Sequence, residues 1–269
     1  MTRSTSTKRS AQPTFAPVTL SEDRGMRYLH FSSEWIQGAM RIARPYEIAL
    51  EYTRQMMAWL LFLDPQRADF QIGQLGLGAA ALTKFCWKQC APAQVTVVEI
   101  DPAVIACAHS MFALPPEDAR LSVVEADAAH YIARVPGHFD VLQVDLYDAQ
   151  ARGPVHESAQ FYADCAAALK EVGIVVVNLF GEHASFPRNF RRLLAAFDGR
   201  VIALPEIDAG NRVALAFKGP PIDIAYADLY ARAKVIEAQT GLPARRWVDG
   251  LKKVAGEANH LPAPQRFQR

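Results

Sequence analysis

The fold turns on Phe70-Gln71-Ile72-Gly73-Gln74-Leu75-Gly76-Leu77-Gly78-Ala79-Ala80-Ala81. A strand-like run leads straight into Gly76-Leu77-Gly78, and three alanines then open a helical pattern, so the chain must turn sharply from strand to helix. The stretch fits G-x-G-x-x-A. Small residues there let the backbone and the next helix's N-terminus come close to a ligand. Taken alone the motif reads equally well as a tight strand-to-helix turn.

Outward from this turn, strand-like runs alternate with helical patterns. Strands are predicted over 70–75, 95–100, 121–125, 141–145 and 174–180, and helices over 79–90, 102–112, 128–135, 158–169 and 187–197. Two more strands, 201–204 and 213–217, are joined through Asp208-Ala209-Gly210-Asn211. The Val, Ile and Leu runs are nearly continuous, as expected of strands covered on both faces of a parallel sheet. The expectation is an α/β, Rossmann-like doubly wound fold with a mostly parallel seven-stranded sheet that ends in an antiparallel hairpin.

Residues 63–220 hold this unit. Residues 1–17 read as a disordered tail. Residues 18–62 read as a small N-terminal strand/helix attachment, with strands over 27–31 and 37–42 and one helix over 46–62. After the breaker cluster Lys218-Gly219-Pro220-Pro221 a helix is expected from 224 to 239, and the remainder of 221–269 reads as a basic tail.

Composition narrows the function classes. Of the 269 residues, 51% are hydrophobic and 21% charged, which excludes disordered and collagen-like chains. The net charge of +1 hides +3 in the first ten residues and +4 over 244–269, leaving the body acidic at −6. A nucleic-acid-binding domain is disfavoured. The longest apolar runs are strand-sized, well short of the roughly 20 residues that a bilayer helix needs. The four cysteines lie in helical patterns without paired zinc spacing, so they read as core thiols of a cytoplasmic chain with no metal. The seven histidines form no ligand spacing, and His156 is the one nearest the chemistry.

Ligands of such sheets bind at the carboxyl ends of the strands. The second strand ends in Val98-Glu99-Ile100-Asp101-Pro102, and Glu99 stands where an acid accepts ribose hydroxyls. After the third strand, Asp127 can accept a hydrogen bond from an exocyclic adenine amine. NAD is the rival ligand for the glycine turn with Glu99. Asp127 and the closing hairpin favour an adenosyl-sulfonium. The fourth strand ends in Gln143-Val144-Asp145-Leu146-Tyr147-Asp148, followed by Gly153-Pro154. Two carboxylates there can hold a cationic amine, take its proton and stabilise positive charge.

These residues resemble the spermidine synthase (polyamine aminopropyltransferase) family. The carriers are Glu99-Ile100-Asp101-Pro102-Ala103-Val104-Ile105, Asp127, the run from Asp140 to Asp148, Gly153-Pro154, Phe161-Tyr162 and Gly173, within a likeness spanning residues 30–218. The resemblance implies the fold of S-adenosylmethionine-dependent methyltransferases. It also implies an aminopropyl donor, decarboxylated S-adenosylmethionine, and a polyamine-type acceptor. Gly76, Gly78, Gln37, Glu99, Asp127 and Asp145 would bind the donor. Asp145 and Asp148 would be catalytic, and Asp148 and Tyr147 would contact the amine. The family often forms homodimers.

There are departures. Ala79 stands where the family's glycine loop carries an acid. The gate reads Asp-Leu-Tyr-Asp in place of Asp-Ser-Ser-Asp. A polyamine-pocket Tyr and its neighbour align with Thr53 and Arg54, and a downstream Tyr-Pro aligns with Ile207-Asp208. Arg54 in such a pocket would repel a polyamine, and Tyr147, Tyr52 and Tyr46 are the aromatic candidates to replace the missing contact. Three functions are thus carried forward: an aminopropyltransferase, a methyltransferase using intact S-adenosylmethionine, and a non-catalytic nucleotide-binding homologue.

Overall fold

The computed structural model describes residues 15–147, 155–181, 183–207, 210–255 and 260–261. The chain opens with an antiparallel sheet of β1 (Val18–Asp23), β2 (Met26–Phe31) and β3 (Gly38–Arg41). A short helix α1 (Glu51–Gln55) and a 3-10 turn (Ala58–Leu61) lead into the main unit. Strands and helices then alternate: β4 (Gln71–Leu75), α2 (Ala81–Gln89), β5 (Gln94–Glu99), α3 (Pro102–Met111), β6 (Leu121–Glu125) and α4 (Ala128–Ile132). They continue with β7 (Phe139–Val144), α5 (Ala159–Ala168), β8 (Leu169–Phe180), α6 (Phe186–Ala196), β9 (Val201–Ala203) and β10 (Asn211–Lys218). The end of the chain adds β11 (Ile224–Ala225), α7 (Tyr226–Thr240), α8 (Ala244–Ala255) and β12 (His260–Leu261).

The seven-stranded sheet has the order β6-β5-β4-β7-β8-β10-β9. Pairs from β6 to β8 are parallel, and β10 runs antiparallel to both β8 and β9. The hairpin of β9 and β10 therefore does not simply extend the sheet, because its second strand inserts between the first and β8. Strand order reverses between β4 and β7, which places the ligand crevice at the carboxyl ends of those two strands.

The apolar runs are buried on both faces, as a covered parallel sheet requires. On one face Ile72, Val97, Val141, Val176 and Leu215 pack with the buried side chains of α2, α7 and α8. On the other, Leu75, Val98, Val144, Val177 and Ala214 pack under α4, α5 and α6.

Three departures from the sequence reading have physical causes. The single helix expected over 46–62 is two short pieces. The helix ends at Gln55, and the buried run from Met56 to Leu61 tightens into a 3-10 turn, its burial set by packing and not by an amphipathic stripe. The carbonyl that the break frees at Met56 is taken up by Gln143 Nε2 at 3.1 Å. Second, β8 begins at Leu169 and runs through Gly173 instead of starting after it. A Cβ at Gly173 would lie 2.9 Å from the Asp140 carbonyl oxygen, so this glycine permits close strand approach. Third, residues 244–255, whose charges suggest a tail, form α8. Trp247, Val248 and Leu251 are buried in the core, while Arg245, Arg246, Lys252 and Lys253 stay outside. Strand β1, also unexpected, is exposed along most of its length, so no apolar pattern announces it.

Among the described residues, no helix is long and apolar enough to cross a membrane. Among them, too, no group of His, Cys, Asp and Glu side chains is arranged to hold a metal ion. The four cysteines are free thiols, three of them buried.

Candidate active site

The crevice between β4 and β7 opens into a cavity of about 1270 Å³. It exceeds the roughly 300–1,000 Å³ of a typical small-molecule pocket, enough for a nucleoside and a second substrate. Its floor is the turn after β4. Gly76 has φ +94°, and a Cβ there would lie 2.2 Å from the Asp145 carbonyl oxygen. Only glycine lets the two strand ends touch in this way. Asp145 N–H in turn donates to the Leu75 carbonyl at 2.9 Å. Gly78 (φ +49°) backs onto Gln37, which also lines the cavity, and Ala79 packs against Gly38 of β3.

Glu99 and Asp101 at the end of β5 divide their work. Asp101 caps α3 by accepting the Ala103 N–H at 2.8 Å, with Pro102 in the first turn. Glu99 lines the cavity and accepts the N–H groups of Leu77 (3.0 Å), Ile100 (2.9 Å) and Asp101 (3.0 Å). Burial pushes the Glu99 carboxyl up, and the three backbone donors only partly offset it. Two of those bonds use Oε1 and one uses Oε2, so Oε2 retains capacity toward the glycine turn.

Asp127 caps α4 through Oδ1, which accepts the His130 N–H at 2.9 Å, and its Oδ2 faces His156 Nε2 at 3.2 Å. Burial alone would raise this carboxyl. The His130 N–H and the neighbouring His156 and His130 rings outweigh it and hold Asp127 below the ordinary carboxylate value.

Asp145 sits at the switch point. Its Oδ1 accepts from Asn178 Nδ2 at 2.9 Å, and the Asn178 carbonyl oxygen accepts from Asn211 Nδ2 at 3.1 Å. Tyr52 of α1 stands beside the same carboxylate, and Tyr147 lies close enough to feel its charge. Burial raises Asp145, with the Asn178 and Tyr52 hydrogen bonds opposing it. Burial and the Asp145 charge hold the Tyr52 and Tyr147 hydroxyls well above the usual phenol value, so both stay protonated.

Gln37, Gly76, Gly78, Glu99, Asp127, Asp145 and Tyr147 thus all face one cavity. Asp148, Gly153 and Pro154 lie outside the described residues. Arg54 does not line the cavity. Its Nε donates to the Ile48 carbonyl at 2.9 Å and its Nη1 is 3.6 Å from Glu51, so the objection that it repels an amine falls. Tyr52, two residues earlier, supplies the aromatic hydroxyl instead. Tyr46 packs on Trp87, with Lys88 over its ring, away from the site.

Sequence reasoning passed over Asn178, Asn211, Glu206 and Arg246, all of which line the cavity. Asn178 had a signal: it is a polar residue closing the apolar run Val175-Val176-Val177. Glu206 and Arg246 gave none. Both reach the cavity through packing of α8, where Gly250, one turn beyond Arg246, lies against Pro205: a Cβ there would stand 3.0 Å from Pro205 Cδ.

Comparison with known proteins agrees with this geometry. A spermine/spermidine synthase domain model matches residues 80–185. A polyamine aminopropyltransferase from Neisseria meningitidis is 35% identical over 246 residues, covering 91% of this chain and 92% of that protein. A probable spermidine synthase from Corynebacterium glutamicum superposes with a TM-score of 0.68 at 20% identity, covering 87% of this chain and 90% of that one. Human methyltransferase-like protein 13, solved with SAH, gives 0.63 at 22% identity over 72% and 93%. The two structures share the fold with this chain. The sequence likeness extends along nearly the whole length, and the chain belongs to the spermine/spermidine synthase family.

Proposed function

We propose that this protein transfers an aminopropyl group from decarboxylated S-adenosylmethionine to a polyamine-type amine, releasing methylthioadenosine. The carrying observation is the buried Asp145, held by Asn178 and Tyr52 against the glycine turn at the sheet's switch point. Glu99 Oε2 takes ribose hydroxyls and Asp127 takes the adenine amine, which puts the sulfonium beside Asp145. There the amine lone pair attacks the carbon next to sulfur. The new N–C bond forms as the C–S bond breaks, and sulfur leaves with the electron pair as a neutral thioether. The surplus proton passes from the alkylated nitrogen to a carboxylate and on to water.

Asp145 serves this reaction as a fixed negative charge next to developing positive charge in a partly dry site. Asn178 and Tyr52 favour its ionised form and aim it. Asp148 is assigned to the acceptor amine on sequence position alone. Glu51 and Glu206 line the amine end of the cavity and suit a cationic chain.

Methyl transfer from intact S-adenosylmethionine is the competing reading, and Ala79, small where the family has an acid, is its support. Family membership favours aminopropyl transfer. Incubating the protein with each donor and a diamine, and resolving the products by mass, decides between them. Methylthioadenosine with the decarboxylated donor supports the proposal. S-adenosylhomocysteine from the intact donor alone would refute it.

A further inference from the structure

His156 is the first strongly polar side chain after the loop that follows β7, and the transfer chemistry above does not use it. It lines the cavity, half-buried, with its ring tilted against Phe161 at a centroid distance of 5.4 Å. Phe161 is itself fixed, because its N–H donates to the capping hydroxyl of Ser158 at the start of α5. The imidazole is therefore held by packing from α5, while its Nε2 reaches 3.2 Å to Asp127 Oδ2 at the start of α4. A carboxylate only accepts, so Nε2 is the donor. The other oxygen of Asp127 is engaged by the His130 N–H. His130 also brings its exposed ring within 3.7 Å of Asp127, but on the Oδ1 side that the cap already engages.

We propose that His156 is a positioning residue of the donor site: its Nε2–H fixes Asp127 so that Oδ2 offers its remaining lone pair to the exocyclic amine of adenine. This rests on the reading of Asp127 given above. With the cap bond alone, a carboxylate can still rock about its last torsion, which is broad and two-fold. A second contact at the other oxygen sets the plane of the group. The arrangement joins the ends of two different helices, α4 and α5, across the adenine side of the cavity. Recognition of the base then depends on a residue that does not itself read it.

The test is the affinity of methylthioadenosine for the purified protein, measured by calorimetry for wild type, His156→Ala, His156→Phe and His156→Gln. The phenyl ring keeps the packing on Phe161 and loses the donor. The Gln side chain keeps a donor and loses the ring. Loss of one hydrogen bond predicts affinity weakened roughly 3- to 20-fold in the Ala and Phe variants, with Gln restoring it to within about twofold of wild type. In steady-state assays the loss falls on KM for the donor rather than on kcat. A Phe variant that binds like wild type would overturn the inference, as would loss of kcat at unchanged donor affinity. Should the Ala variant fail to fold, the Phe and Gln pair decides the matter. If wild-type protein binds neither methylthioadenosine nor S-adenosylhomocysteine, the donor reading itself fails, and this inference with it.

Discussion

Asn178 Nδ2 donates to Asp145 Oδ1 across 2.9 Å, joining the carboxyl ends of β8 and β7. That bond opposes the burial that raises Asp145. Replacing Asn178 by Val removes the donor, so the Asp145 carboxyl rises further and is protonated at higher pH. The acid limb of the kcat/KM profile should move toward neutrality, and activity at pH 7 should fall by roughly 10–100-fold. An acid limb that stays in place would separate Asp145 from the titration that governs turnover.

Tyr52 and Arg54 are near neighbours with opposite expectations. Tyr52→Phe removes a hydroxyl beside Asp145 and should lower kcat/KM about tenfold, the worth of a hydrogen bond to a charged group. Arg54 does not line the cavity; Arg54→Ala loses the bond to the Ile48 carbonyl and a partly exposed 3.6 Å ion pair with Glu51, and kcat/KM for a diamine should stay within about twofold. Parallel kinetics on the two variants checks both. A large gain in amine affinity on losing Arg54 would restore it to the acceptor pocket.

Lys84 of α2 is buried, with its Nζ donating to the Phe112 carbonyl at 2.6 Å. Burial lowers its pKa from 10.5 to about 8. Between those values the unfolded chain binds more protons than the folded one, so stability rises with pH across that window and the penalty is complete below it. At pH 7 the penalty is of order 3 kcal/mol, less about 1 for the hydrogen bond. Lys84→Met should therefore stabilise the fold by about 2 kcal/mol at pH 7 and flatten its stability between pH 8 and 10.5. Urea midpoints across that range provide the measurement.

Trp247 of α8 is 3% exposed and packs in the core. Trp247→Ala should cost about 3–5 kcal/mol, as large-to-small changes in cores do. Thermal unfolding would show it, and a loss under 1 kcal/mol would mean that α8 is a loose appendage.

Ala80 adopts φ +55° at the entrance to α2. A side chain in that region is strained by about 1–2 kcal/mol, so Ala80→Gly should be neutral or stabilising despite glycine's extra freedom in the unfolded state. Chemical denaturation reads the sign.

How far the sequence could be read follows from these same residues. Glu99 closes β5 and Asp127 follows β6 by two residues, so counting along the chain places them at one sheet edge without coordinates. The alternating pattern gave the mostly parallel sheet and its antiparallel end, while the strand order, with β10 between β8 and β9, is set by tertiary packing. Tyr52, Asn211 and Glu206 reach the site through tertiary packing alone. Aligning by spacing pointed to Thr53 and Arg54; of these Thr53 lines the cavity with its neighbour Tyr52, and Arg54 does not. Charge hid α8, because its outer face is basic while Trp247, Val248 and Leu251 mark the buried one at helical spacing.

The two ends of the cavity are drawn from the chain in different ways. Gly76, Gly78, Glu99 and Asp127 come from one unbroken stretch of successive strand ends. Tyr52, Asp145, Asn178, Glu206, Asn211 and Arg246 are gathered from separate segments spread over most of the chain. On the proposed reading the nucleoside is thus held by one contiguous block of strand ends. Acceptor preference can drift one side chain at a time. On the same reading, substitutions at cavity residues such as Glu206 or Arg246 would alter the accepted amine while leaving the nucleoside end of the cavity in place.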